Sequence, residues 1–224
     1  MAFESGAPLT RAIVEQVVRE AVGKRLARAA VASPVSTLVV HASARHMHLC
    51  REDLEALFGA GHELTPDRPL YQEGNFAAKE TVTLIGPRSR LIPNLRILGP
   101  LRRQSQIELA FTDAILLGLD VPVRLSGDIE GTPGAIVMGP KGIVELKQGV
   151  IRAAIHAHMN PAEAARYHVK QGDEMKLRVG GPATVVFERV VARVDPTSRL
   201  NVHMDTDEAN ACALHLATDF ELFT

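Results

Sequence analysis

The chain has 224 residues with 25 Lys and Arg against 26 Asp and Glu, a formal net charge of −1, so it lacks the cationic excess that nucleic-acid phosphates require. Hydrophobic residues make up 46% and charged residues 23%, which excludes a disordered chain, and aromatics at 4% with no Trp leave little for base stacking. Two cysteines, Cys50 and Cys212, exclude a disulfide framework at this length and fit a reducing, intracellular setting.

At the N-terminus, Met1–Pro8 shows no basic stretch leading into an apolar one, so no secretory signal is expected. No apolar run approaches the ~20 residues of a bilayer-spanning helix, so no membrane segment is expected either. From Leu9 to Ala29 the residues Ile13, Val14, Val17, Val18, Ala21, Val22 and Leu26 recur at the spacing of one helical face, with Arg11, Glu15, Arg19, Lys24 and Arg28 opposite. Residues 29–36, AAVASPVS, read as a small-residue linker broken by Pro34. Two readings stand side by side: a helix packed on the body, or an amphipathic tag that docks on another protein. The Val- and Ala-rich face carries no aromatic wedge for a membrane surface.

Beyond Ser36 the chain changes to short β-branched runs. Val82–Ile85, Leu95–Leu98, Ala135–Met138 and Met175–Val179 are each followed by a Gly-Pro dipeptide, at residues 86, 99, 139 and 181. These dipeptides predict turns between antiparallel strands, because Pro ends ladder pairing and Gly frees the backbone. Short helices are expected over Arg51–Phe58, Thr112–Gly118, Pro161–His168 and Thr206–Leu214. Many short strands with few helices predict a mainly β fold of small barrels rather than a doubly wound sheet.

The chemistry sits in an internal repeat. Residues 46–55, HMHLCREDLE, match 156–165, HAHMNPAEAA, and QIELAFTDA (106–114) matches NVHMDTDEA (201–209) with one residue of slippage. Nine His placed at random give about 0.4 His-x-His pairs, so two pairs alone say little. Their equivalent placement, each followed by a third ligand-type residue, says more. One kit is His46, His48 and Glu108; the other is His156, His158 and His203. On an extended strand residues i and i+2 share a face, so both imidazoles of a His-x-His reach one ion. Three protein donors leave one coordination position open, as in catalytic zinc. The competing reading is that these histidines sit satisfied on a barrel face. His41, His62, His168 and His215 are isolated and read as surface or core residues. Cys50 suits an N-cap-like position between strand and helix.

Three features could complete a site. Arg102 and Arg103 follow Gly99-Pro100, and either guanidinium would suit phosphate or carboxylate. The loop SGDIEGTPG (126–134), with Gly127, Gly131 and Gly134, is able to approach a phosphate closely or to be a plain hairpin turn. Lys141 faces either a polyanionic ligand or bulk solvent.

SARHMHL (43–49), GPLRRQSQIELAFTDA (99–114), SGDIEGTPG (126–134), GPKG (139–142), HAHM (156–159) and VHMDTDEAN (202–210) together resemble the PduL-type phosphate acyltransferases, also called phosphate propanoyltransferases. The resemblance runs from about residue 37 to about 215. It implies interconversion of acyl-CoA plus orthophosphate with acyl phosphate plus CoA, using two metal ions, normally zinc, on the two kits above. It assigns phosphate binding to Arg102 rather than Arg103. It implies two antiparallel β-barrels with exchanged segments, capped by short helices: residues 36–46 with 153–224 in one barrel and 47–152 in the other. Residues 1–35 then look like an N-terminal amphipathic extension and linker of the kind that directs such enzymes into bacterial microcompartments, against the shell or co-encapsulated enzymes. Cys50 stands where related sequences usually carry Ser.

This chemistry agrees with the residues. A thioester is already activated, so the barrier lies in bringing two anions together and stabilising charge on the acyl oxygen. Direct attack of phosphate on the acyl carbon, without a covalent acyl-enzyme, is expected. Two other readings fit the same residues: a zinc hydrolase of thioesters or phosphoesters, and a β-barrel interaction module with structural zinc. His and carboxylate donors also suit cobalt or iron. A homo-oligomer is compatible with the sequence; a nucleic-acid or membrane partner is not expected.

Overall fold

The computed structural model describes residues 38–224, and the helix expected over Leu9–Ala29 with its linker lies outside the described residues. The order is β1 (Val39–Ser43), β2 (His46–His48), α1 (Arg51–Phe58), β3 (Pro66–Pro69), β4 (Phe76–Ile85), β5 (Leu91–Gly99) and β6 (Gln106–Glu108). Then come α2 (Phe111–Leu117), β7 (Val123–Arg124), β8 (Ala135–Met138), β9 (Ile143–Leu146) and β10 (Val150–Ala153). The chain continues through β11 (His156–Met159), α3 (Pro161–Tyr167), β12 (Glu174–Gly180), β13 (Val185–Val194), β14 (Asn201–Asp205), α4 (Thr206–Ala211) and β15 (Asp219–Phe223).

The strands form two strongly curled sheets, each a half-barrel, in a mainly β fold with short helices. One sheet has six strands in the order β1-β14-β11-β13-β12-β15; the other runs β7-β10-β6-β2-β5-β4-β8-β9, with β3 paired to β4. Alternation sets the inner faces: in β12, Met175, Leu177 and Val179 are buried while Glu174 and Lys176 are exposed. Each sheet closes on its own apolar cluster. Leu54, Leu84, Ile97, Ile107 and Val137 belong to the nine-stranded one, and Met159, Leu177, Val190, Val202 and Leu222 to the six-stranded one.

Both sheets are mixed. β1 runs parallel to β14, β2 to β5, β11 to β13, and β10 to both β6 and β7, while the remaining pairs are antiparallel. The β1/β14 pair follows from two changes of sheet, between β1 and β2 and again between β10 and β11, whereas the other parallel pairs join non-consecutive strands within one run of the chain. Three Gly-Pro dipeptides close antiparallel hairpins as expected: β4/β5, β8/β9 and β12/β13. The fourth differs. Gly99-Pro100 ends β5, but β2 lies between β5 and β6, so no hairpin forms there. Its continuation is tied to the exit of β2 instead, Arg102 N donating to Leu49 O at 2.8 Å.

Three helices lie within a residue of the expected bounds, and α4 stops at Ala211 before a 3-10 turn over Leu214–Leu216. In the second half both helices carry a capping box, Asn160 with Glu163 and Asp205 with Glu208. Cys50 does occupy the N-cap of α1, yet its side chain makes no capping bond. Ser105 intervenes: its Oγ accepts from Cys50 N at 3.0 Å and donates to Asp53 Oδ2 at 2.5 Å.

Candidate metal centre

The His-x-His pairs are strands buried on both faces. Met47 and Ala157, both at 0% exposure, point into the two cores, so His46 and His48 on one strand, and His156 and His158 on the other, turn to the opposite side. Register then supplies the third donor. His46 pairs across the antiparallel β2/β6 ladder with Glu108, and His156 pairs across β11/β14 with His203. The repeat is therefore geometric: the third residue of each kit lies directly opposite the first. In each group one donor atom per residue lies within 4.8 Å of the others.

These residues fit a divalent ion. His46 Nδ1 and His156 Nδ1 lie 2.8 Å from the carbonyls of Ala44 and Ala154. A carbonyl only accepts, so each Nδ1 holds the proton and each Nε2 keeps a lone pair. His46 Nε2 faces Glu108 Oε2 at 3.4 Å, and His156 Nε2 faces His158 Nε2 at 3.1 Å. Buried His48 Nδ1 and His203 Nε2 have no hydrogen-bond partner. Converging lone pairs and orphaned ring nitrogens are what a cation would satisfy.

The electrostatics agree. Burial first, then the neighbouring His46, pushes His48 down to about 3. Burial, followed by neighbouring imidazoles, does the same to His158 and His203, each to about 3, and burial with the charge of Arg193 lowers His156. Burial would raise the Glu108 carboxyl, but the charges of His46 and His48 and a hydrogen bond from Ser126 outweigh it and take it down to about 2. At neutral pH His48, His156, His158 and His203 are thus unprotonated and Glu108 is ionised, ready for metal. A lowered histidine value means that the unfolded chain takes up protons which the folded one refuses. The stabilisation from these sites is therefore complete above about pH 6.5 and lost as pH falls towards about 3. Chelator-stripped protein is expected to show a melting temperature that drops steadily from pH 7 to pH 5, measured by differential scanning calorimetry.

Both groups open on one cavity of about 520 Å³. Five arginines, Arg45, Arg68, Arg96, Arg102 and Arg193, are among its lining residues, together with Glu108 and Asp205. Arg96 sits beside His46 in the β2/β5 register and Arg193 beside His158 in β11/β13. Arg102 Nη1 donates to Ser126 Oγ at 2.8 Å, and that hydroxyl donates to Glu108 Oε1 at 2.8 Å. Of the loop glycines, Gly127 touches the site through its N–H, which donates to Gln106 Oε1 at 2.7 Å; Gln106 in turn donates to Glu108 Oε1 at 2.6 Å. Gly131 is exposed and Gly134 packs against the Leu146 backbone, and neither lines this cavity. Lys141 is also outside it, its N–H donating to Leu57 O at the C-terminal end of α1. Arg103 does not line it.

Several residues here carry no motif. His41, read from sequence as isolated, is the register partner of His203 on β1, with ring centroids 5.6 Å apart, and Tyr71 packs on its other side at 5.0 Å. Gln72 contacts His158 Nε2. Arg68, Arg96 and Arg193 stand on β3, β5 and β13, and of these three strands the sequence pattern marks only that of Arg96. Both cysteines are free thiols, and burial raises that of Cys50.

Comparison with known proteins agrees with this geometry. The phosphate propanoyltransferase family pattern matches residues 39–215. A phosphate propanoyltransferase of Planctopirus limnophila is 52% identical over 223 residues, covering 96% of this chain and 91% of its own length. One from Thermotoga maritima is 50% identical over 179 residues (80% and 85%), and one from Listeria monocytogenes is 45% identical over 173 (77% and 81%). With a match across more than three-quarters of its length and both donor groups within the matched span, the chain belongs to the phosphate propanoyltransferase family.

Proposed function

We propose that the protein interconverts a short-chain acyl-CoA plus orthophosphate with acyl phosphate plus CoA, at a centre of two divalent ions, normally zinc. The observation that carries this reading is the opening of two three-donor groups onto one cavity walled by five arginines. His46, His48 and Glu108 would hold one ion, and His156, His158 and His203 the other. Bound there, the ions would supply Lewis-acid polarisation of the acyl carbonyl and charge neutralisation for phosphate and thiolate.

The chain's own residues do the rest. Arg102, backed by Ser126, receives orthophosphate in the bidentate mode open to a guanidinium, and Arg193 offers a second cation beside His158. Leu98, Leu109 and Met204 belong to the lining of the same cavity and give it an apolar wall on which an acyl chain would pack. A phosphate oxygen then bonds to the acyl carbon and the carbon–sulfur bond breaks, its electron pair leaving on CoA sulfur. No protein nucleophile is needed. Cys50 does not line the cavity, and its thiol is pushed away from the reactive thiolate.

We assign the glycines Gly127, Gly131 and Gly134 and Lys141 to the outer reach of a CoA molecule, which is larger than the cavity. Residues 36–46 with 153–224, and 47–152, are read as the two barrels, with His46 and Ala153 at the boundaries going with the strands β2 and β10 that carry them. Residues 1–35 are read as an encapsulation tag for a microcompartment lumen. No helix among the described residues is long and apolar enough to cross a membrane.

Elemental analysis of purified protein combined with a CoA-release assay tests the central claim. Two ions per chain and release that depends on added phosphate are expected. Phosphate-independent release would indicate a hydrolase, and ping-pong kinetics would indicate an acyl-enzyme. For the tag, residues 1–35 fused to a fluorescent protein should give punctate signal in a microcompartment-forming host; diffuse signal like the untagged control would defeat it.

A further inference from the structure

Each donor group is set by the register of its own sheet, but neither register fixes the distance between the groups. His46, His48 and Glu108 belong to the nine-stranded sheet, whereas His156, His158 and His203 belong to the six-stranded one. A substrate bridging both groups needs that spacing held to a fraction of an ångström. We propose that Arg152 is the positioning residue that holds it, a role that rests on the two groups acting as one centre.

Arg152 lies on β10, where its neighbour Ile151 pairs directly with Glu108 of the first group. Its side chain leaves that sheet for the other. Nε donates to Asp205 Oδ2 at 2.5 Å, and Nη2 donates to Glu208 Oε1. Among the described residues these are the ion pairs that span the two sheets, and all three side chains are at most 15% exposed. Asp205 is two positions beyond His203 on β14, so both side chains share a face of that strand. Asp205 and Glu208 are themselves immobilised by the capping box: Glu208 N donates to Asp205 Oδ1 at 2.8 Å and Asp205 N to Glu208 Oε2 at 2.9 Å. The Phe111 ring lies 4.6 Å beneath the guanidinium carbon and restricts its plane. The ion-pair path from Glu108 to His203 therefore runs through one planar fork with both ends fixed, beside the hydrogen bond from Thr112 N to Asp207 Oδ2 at 2.9 Å and the short chain crossings from β1 to β2 and from β10 to β11. A lysine, a single point charge, cannot engage both carboxylates in this way.

The test uses the full chain loaded with Co(II), read by electron paramagnetic resonance, alongside phosphate-dependent CoA release. Arg152→Lys is expected to bind two Co(II) with each ion's own ligand-field absorption unchanged, because neither donor set is touched. The dipolar broadening between the ions should change, and kcat should fall 10- to 100-fold with KM for acyl-CoA moving less than threefold. Glu208→Gln removes the charge of one arm while keeping an oxygen for Asp205 N, and should shift both readouts the same way by less; it serves if Arg152→Lys does not fold. Unchanged broadening and kcat beside a lowered melting temperature would overturn the proposal, leaving Arg152 a purely stabilising link. Absence of any inter-ion broadening in the unmodified protein would overturn the two-ion reading itself, and the proposal with it.

Discussion

Glu108→Gln should leave a folded protein that has lost one of its two ions and nearly all acyl transfer. The side chain is 12% exposed, with Oε1 accepting from Gln106 and Ser126 and Oε2 turned to His46. Glutamine keeps the shape and one acceptor, so the local network survives, but it removes the only anionic donor of either group. Losing a Lewis acid forfeits several kcal/mol of charge stabilisation in the transition state, on the order of a 10³-fold drop in kcat. The core of that half is apolar and independent of the ion, since Ile107, Ile97 and Leu84 pack at 0% exposure. Elemental analysis, circular dichroism and the CoA-release assay on one preparation check the outcome. Unfolding in step with metal loss would instead favour an interaction module with structural zinc.

Arg102→Ala should cost roughly 10² to 10³ in kcat/KM for phosphate, the range for removing one preorganised donor from developing charge. Arg102→Lys should recover only part, because the ammonium cannot both hold Ser126 and grip two phosphate oxygens. Arg103→Ala supplies the contrast: Arg103 lies outside the cavity, so less than a threefold change is expected from steady-state kinetics with varied phosphate. An equal loss in both variants would show that the two arginines work as a bulk positive field.

The donor groups were legible because a period-two pattern on a short strand leaves no choice of face, and because a repeat places the third donor by analogy. Glu108 opposite His46 and His203 opposite His156 follow from the same alignment that pairs the motifs. The starts of α3 and α4 are written locally by Asn160 with Glu163 and Asp205 with Glu208, whereas α1 and α2 begin without a side-chain cap bond. What escaped notice was set by long-range pairing. Arg193 joins the site only because β13 runs parallel beside β11, and His41 only because β1 pairs with β14. Gly99-Pro100 looked like the other three turns, and nothing in its local residues announces that β2 is inserted beside it. The backbone of Lys141 is held against the end of α1, a contact that its glycine neighbours do not announce.

The pairing of Val39–Ser43 with Asn201–Asp205 has a consequence for synthesis. The first of the described strands finds its partner only about 160 residues later, and meanwhile the whole nine-stranded half is being translated. That half can assemble early from its own contiguous strands, whereas the opposite one must wait with a bare edge exposed to solvent. Such late, non-local closure slows folding and invites association between nascent chains. Refolding from denaturant should accordingly be slower and more concentration-sensitive than the chain's size alone would suggest.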